Sequence, residues 1–456
     1  MARDVSDSTP VCSKADLINW IAEGEKPSSD WRVGTEHEKV PFYQADFSPV
    51  PYEGENGIRS LLEQLAKTKP WEEITEFGKI IGLFDETGGD AVSLEPGGQF
   101  ELSGAPLANI HQTKAELDKH LADTKKIGEK LGIRFLTLGT SPKWSRAETP
   151  VMPKGRYKIM TNYMPKVGQH GLDMMYRTAT VQANLDYSSE QDMVKKMRVS
   201  IALQPIATAL FANSPFMDGK PNGYLSMRSE IWKDTDNNRA GMTPFVFEEG
   251  FGYERYVDWV LDVPMYFIKR GDTYHDVAGQ SFKDLLAGNL PGHADEKATM
   301  SDWANHVSTV FPEVRLKRYI EMRGADVGSP EFILALPALW IGLLYDSDVL
   351  DAAWDLVKDW TADERQQLRD DVPSIALKAK IGSRSVQDIA KDVLDLAGRG
   401  LARRGIKNAD GQDESHYLNP LRTIAESGKT SAELLLERYN GVWNGNLDNA
   451  FKEYVF

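Results

Sequence analysis

Residues 31–43 read WRVGTEHEKVPFY. Side chains alternate across an extended chain, so residues two apart share a face. Glu36 and Glu38 then stand on one face beside Gly34, while Thr35, His37 and Lys39 stand on the other. Three more stretches have the same character. In LEPGGQFELSGA (94–105), Gln99 and Glu101 oppose Phe100 and Leu102, and Glu95 precedes them across a Pro96-Gly97-Gly98 turn. In RTATVQANLDY (177–187), Thr180, Gln182, Asn184 and Asp186 oppose Val181, Ala183 and Leu185. In VRLKRYIEMRGAD (314–326), Arg315, Lys317, Tyr319, Glu321 and Arg323 oppose Leu316, Ile320 and Met322. Each stretch is read as one strand with a polar face and a face for a core.

Working outward, Pro and Gly are scattered through the first 330 residues or so, as expected of strands, turns and a few helices. Asn109 to Leu131 is predicted to be a helix, with Ile110, Leu117, Leu121 and Leu131 as its stripe and Asn109 as its N-cap. Gln191 to Asn213 is a second helix. After Asp346 the helical period dominates, with start signals at Ser385 and Ser431 and a stop at Gly441. The expected architecture is an α+β body followed by a helical C-terminal region, 346–456, packed on the sheet. With no linker or repeat, 1–456 is read as a single catalytic domain with an N-terminal segment at 1–30, although a prior of about 150 residues per domain would allow three.

A solvated sheet face is the ordinary explanation for any one of these strands. Taken together they differ from that, because three faces carry carboxylates or amides without lysine, and the fourth alternates cations with a carboxylate. Gathered carboxylates repel one another unless a cation sits between them. Oxygen-rich clusters suit magnesium, which takes a few carboxylates together with waters and phosphate oxygens. Arginine and lysine supply the donors phosphate requires. The pattern describes a metal–phosphate site. No Walker A, GxGxxG, GxSxG or HExxH motif is present, so a nucleotide would not sit on a P-loop or Rossmann turn. His37 faces away from Glu36 and Glu38 and is read as structural. Arg156, Arg177, Arg228 and Arg239 form a second cationic set outside the strand faces. Of these Arg228, following the Asn222-Gly223 turn, best suits a substrate-carboxylate clamp.

The balance of 53 Lys+Arg against 68 Asp+Glu gives a net charge of −15, which argues against a general nucleic-acid binder. The one cysteine, Cys12, excludes an intrachain disulfide and a cysteine zinc site. The N-terminus MARDVSDSTP lacks the apolar stretch of a secretory signal. The longest apolar run, FILALPALWIGLLY at 332–345, falls short of the roughly 20 residues a membrane span needs and reads as core. A soluble cytoplasmic protein, monomer or homodimer, is expected.

GTEHEK, SLEPGGQFELSGAP, RTATVQANLDY, DVPMYF, FPEVRLKRYIEMRGAD, ALPALWIGLLYD and LLERYNGVWN resemble glutamate–cysteine ligase of the plant type, also found in proteobacteria. The resemblance runs from about residue 30 to the C-terminus, with EMRGAD and GTEHEK its most specific parts. It implies ATP-dependent joining of glutamate to cysteine, the first step of glutathione synthesis. The implied fold is related to glutamine synthetase: a curved antiparallel sheet funnel flanked by helices. It further implies magnesium ligands at Glu36, Glu38, Glu101 and Glu321, with Glu95 nearby. Gln182 falls at a ligand position where some relatives have histidine. Arg323 would meet ATP phosphates, with Arg315 and Lys317 beside it, and Arg323 and Glu321 would be catalytic. Arg228 would clamp glutamate, with Arg156 and Arg177 as further substrate contacts.

Plant enzymes of this type are switched by disulfides within the chain, and Cys12 alone cannot form one. Three other readings stay open on the sequence. One is a glycosidase, given 11 tryptophans and paired carboxylates. The others are a non-catalytic metal or amino-acid binding protein, and a carboxylate–amine ligase for another amine.

Overall fold

The computed structural model describes residues 7–456. Nine strands make the main sheet: β1 (Val33–Tyr43), β2 (Glu72–Glu76), β3 (Lys79–Phe84), β4 (Ala91–Leu94), β5 (Phe100–Ser103), β6 (Ile133–Leu136), β7 (Thr180–Leu185), β8 (Val314–Leu316) and β9 (Ile320–Asp326). Their order is β8-β9-β7-β1-β5-β4-β3-β2, and β6 pairs with the far half of β1. Every pairing in the sheet is antiparallel. The expected class therefore holds, with β1 at the centre. Its register sets Glu36 opposite Gln182 and Glu38 opposite Glu101. The two acidic stretches thus share one face because antiparallel partners directly opposite each other point the same way.

The fourth stretch departs from the expectation of one strand. It is a hairpin, β8 and β9, turning at Lys317–Tyr319, with Arg315 opposite Glu321. The alternation survives the turn because those partners have equal parity. Further along, Met322 pairs with Ala183 but Ala325 pairs with Val181, so Arg323 and Gly324 together oppose Gln182. This bulge re-aims the Arg323 side chain, a device common beside active sites. At Gly324 a Cβ would overlap the ends of the Gln204 and Glu313 side chains, which would have to shift to make room for it.

Behind the sheet lie α1 (Ile110–Leu131), α2 (Glu190–Leu210), α3 (Pro330–Leu344) and α4 (Val386–Arg404). α3 packs on β7 and β1, α2 on β9, and α4 on α3. The apolar run seen in the sequence is α3, buried from Ile333 to Leu344 as a helix with apolar residues all round should be. Among the described residues no single helix is long and apolar enough to cross a membrane. Asn109 caps α1 by accepting from the Gln112 amide at 3.0 Å, and Ser385 caps α4. The start placed at Ser431 is in fact capped by Thr430, in a reciprocal box with Glu433. Threonine wins because its partner at the third helical position is a glutamate that reaches back to the Thr430 amide.

Candidate active site

The polar faces of β4, β5, β1, β7, β8 and β9 floor a pocket. Its walls are the helix Gly155–Tyr163, residues 174–180, the helix Met227–Ile231 and the helix Met300–Ser308 with the loop after it. Glu36, Glu38, Glu95, Glu101, Gln182, Arg156, Arg228, Arg315, Lys317 and Arg323 all line it. Sequence alternation alone had grouped most of them.

The acidic half is tied down by neutral donors. Glu36 accepts from the Asn184 amide at 2.8 Å and from Gln182 at 3.3 Å. Glu38 accepts from the Thr180 backbone N–H at 3.0 Å. Glu101 accepts from the Ser103 and Ser93 hydroxyls at 2.6 and 3.4 Å. The Tyr157 hydroxyl, bonded to the Leu94 carbonyl at 2.7 Å, lies 3.5 Å from Glu95. Burial, then the charges of Glu321 and Glu101, push the Glu36 carboxyl up. Burial, then Glu95 and Glu101, push Glu38 well above the usual carboxylate range. No three Asp, Glu, His or Cys side chains among the described residues converge as a closed metal cage. Buried, mutually repelling carboxylates spread over adjacent strands fit a hard cation held by one or two of them plus phosphate oxygens.

The cationic half is built around Glu321, which is fully buried. Arg315 grips it twice, Nε to Oε2 at 2.6 Å and Nη2 to Oε1 at 2.9 Å. Lys317 adds a bond of 3.2 Å and Arg323 one of 2.9 Å. Burial raises the Glu321 carboxyl, but Arg315, Lys317 and Arg323 outweigh it and hold the group well below the usual range. In this structure both oxygens of Glu321, the residue expected among the magnesium ligands, face cations, and it stands as their counter-ion. Gln182 likewise has both ends of its side-chain amide engaged. Its carbonyl accepts from Arg323 at 2.7 Å and its amide donates to Glu36, so it bridges the two halves of the site.

Arg228 lies at the junction. It is buried, donates Nη2 to the Arg323 carbonyl at 2.6 Å, and leaves Nε without a partner. Arg156 stands on the opposite wall with its guanidinium 5.6 Å from the Tyr157 ring centre. Arg177 does not belong to the site. It points away from it, donating to Asp218 at 2.6 Å, the Trp144 carbonyl at 2.9 Å and Asp173 at 3.3 Å. These partners fix the loop after Gly139 and the turn at 218. Arg239 is equally structural, fully buried against Asp236 and over the Tyr266 ring.

Sequence reasoning missed the aromatic wall. Arg323 lies 5.9 Å from the Trp232 ring and 5.7 Å from Phe311, and Arg228 lies 5.9 Å from Trp232. Such stacking holds guanidinium planes in place. Asn305, Ser308 and Thr309 also line the pocket, and the Ser308 carbonyl accepts from Arg315 at 2.7 Å. These residues come from helices and loops, where alternation carries no signal.

The model of glutamate-cysteine ligase family 2 (GCS2) matches residues 32–453. The chloroplastic glutamate–cysteine ligase B of Oryza sativa subsp. japonica is 52% identical over 448 residues, 98% of this chain and 88% of the relative. The chloroplastic enzymes of Nicotiana tabacum and Arabidopsis thaliana are each 53% identical, covering 97% and 98% of this chain and 83% and 84% of theirs. Among solved structures, glutamate–cysteine ligase from Francisella tularensis in complex with AMP shares the fold, with a TM-score of 0.52 at 12% identity over 92% of this chain and 88% of that one. These relatives overturn the cytoplasmic expectation, since the plant enzymes are named as chloroplastic. A lone cysteine does not separate one reducing compartment from another.

Proposed function

The chain belongs to glutamate–cysteine ligase family 2, and from that membership we propose that its pocket joins the γ-carboxylate of glutamate to the amine of cysteine at the expense of ATP. It is a ligase of glutathione biosynthesis. The single observation that carries the site assignment is the juxtaposition, on one sheet face, of unpaired buried carboxylates with a bridged set of cations. A glycosidase needs no Arg315, Lys317 and Arg323 beside its carboxylates.

One or two of Glu36, Glu38, Glu95 and Glu101 would hold each magnesium ion, which when bound neutralises phosphate charge that the protein's cations alone would share. Arg323, with Arg315 and Lys317 behind it, faces the ATP phosphates and stabilises charge on the moving γ-phosphoryl. Arg228 offers its unpaired Nε to the glutamate carboxylate, and Arg156 faces the pocket from the other wall. The γ-phosphoryl passes to the glutamate γ-carboxylate. The cysteine amine then attacks γ-glutamyl phosphate, forming the amide and releasing phosphate. The whole chain acts as one catalytic unit, because the β8–β9 cations and the β1–β5 carboxylates meet only when the sheet is complete.

The test is phosphate release from the purified protein. Release should require magnesium, ATP, glutamate and cysteine together. Release with glutamate and another amine, but not with cysteine, would replace the acceptor. Hydrolysis without ATP would end the reading.

A further inference from the structure

Behind the arginines lies a small void lined by Arg228, Trp232, Phe311, Glu313, Arg323 and Arg369, among others. Glu313 is a buried carboxylate placed within reach of the site's cations, and its charge acts on Arg228. It is held from two sides. Arg369 Nε donates to Glu313 Oε1 at 2.8 Å, and Arg369 Nη2 donates to the Trp232 carbonyl at 3.1 Å. The other oxygen, Oε2, lies against Gly324 so closely that a Cβ at 324 would overlap it. The Glu313 backbone carbonyl also accepts from the Arg323 amide at 3.1 Å. Arg369 comes from the helix Ala362–Ile375, part of the helical C-terminal region. That region therefore reaches the void behind the pocket through the Arg369 side chain.

We propose that Arg369 is a positioning residue that holds the Glu313 carboxylate off Arg228, so that the Arg228 guanidinium stays available to a substrate carboxylate. A buried carboxylate that loses its partner seeks another cation, because an unpaired charge in the interior is costly. Arg228 is buried beside the same void, has an unsatisfied Nε and already feels the charge of Glu313, so it is the cation with a free buried donor among those lining that void. Once paired with Glu313 it would no longer offer a net positive charge to glutamate. The inference rests on Arg228 serving as the glutamate clamp.

The experiment is a double-mutant cycle of Arg369→Met and Glu313→Gln, with KM for glutamate and for ATP, kcat, and the melting temperature measured for each protein. Arg369→Met should raise the glutamate KM about tenfold while the ATP KM stays within about twofold. Glu313→Gln alone should leave the glutamate KM near wild type. The double variant should return it to within about threefold, because the freed charge is gone. A role confined to packing would lower the melting temperature in the single and double variants alike and give no recovery, which would overturn the proposal. An unchanged glutamate KM in Arg369→Met would do the same. Should that variant be too unstable to assay, Arg369→Lys and Arg369→Gln make the comparison: the charged variant must keep the glutamate KM and the neutral one must raise it. Arg228→Ala separates this inference from its premise. If it leaves the glutamate KM intact, the clamp itself is wrong; if it raises the KM while Arg369→Met does not, only the positioning role falls.

Discussion

Glu321 and Arg323 sit two residues apart and do different work. Arg323 reaches the pocket with its aromatic neighbours holding its plane, whereas Glu321 is buried behind it with three cations on its two oxygens. Arg323→Ala should therefore fold normally and lose about 10²–10³ in kcat, the size expected for one transition-state charge contact of about 2.7–4 kcal/mol. Glu321→Gln should lose activity and stability together, by about 3–5 kcal/mol of unfolding free energy, because it strands Arg315, Lys317 and Arg323 without their shared anion. Urea melts alongside initial rates distinguish the two, and a Glu321→Gln protein as stable as wild type would contradict the counter-ion role. Much of this residue-level picture was legible in the sequence, since Glu36, Glu38, Glu101 and Gln182 declare their common face by parity. What parity could not declare was which oxygens are already taken. Glu321 and Gln182 read only as oxygen donors in the sequence, and in the structure they also serve as a counter-ion and a bridge, because the cations that meet them arrive across a turn and a bulge. Arg177 was misread for a related reason: nothing local marks its partner Asp218, which is 41 positions away.

Individual elements carry information on both faces, and the back of β1 holds a surprise for an ordinary core. Thr35, His37 and Lys39 are buried there, and Lys39 Nζ is 3.2 Å from His37 Nδ1. The His37 ring meets His120 of α1 edge-on at 5.6 Å, and Thr35 Oγ1, His37 Nε2 and both His120 nitrogens have no hydrogen-bond partner. Alternation placed these three β1 residues together but gave no hint that a helix would seal them. Burial, only partly offset by Glu101 and Glu38 across the sheet, brings Lys39 down from 10.5 to about 7. Because the folded value lies below the unfolded one, the unfolded chain binds more protons between pH 7 and 10.5, so this residue's penalty shrinks as pH rises through that window. Lys39→Met should accordingly stabilise the protein at and below pH 7, by on the order of 1–4 kcal/mol. The gain should shrink toward pH 10.5, as read by denaturant unfolding at a series of pH values. A gain independent of pH would show that the methionine acts by packing and not by removing a strained charge. The same lesson governs β8 and β9: a two-residue period is blind to a tight turn between partners of equal parity, so two strands read as one while their polar face read correctly.

At the scale of the whole molecule, the net charge of −15 and the single thiol acquire a structural address. Part of the acidic excess is the set of carboxylates on the pocket floor, facing cations that the average conceals. The thiol, Cys12, is exposed and free, at the edge of a short helix (Lys14–Ala22) that packs on the helix Tyr253–Asp262, and neither Cys12 nor that helix lines the pocket. A disulfide alters an enzyme by tying two points of one fold together, which requires two thiols with Cα atoms within about 7 Å. With one cysteine in 456 residues, no such tie can form within the chain, so no intrachain disulfide can set the pocket geometry. Enzyme pre-incubated with dithiothreitol or with a disulfide oxidant, then freed of both before assay, should therefore show kcat and KM values equal within about twofold. Cys12→Ser should match wild type under both treatments. A rate that rises or falls severalfold with oxidation in wild type, and not in Cys12→Ser, would mean that Cys12 joins two chains and that the pairing of chains feeds back on the pocket. Sedimentation of the oxidised protein would then reveal a covalent dimer, whereas an oxidised protein that sediments as the reduced one does excludes that pairing of chains.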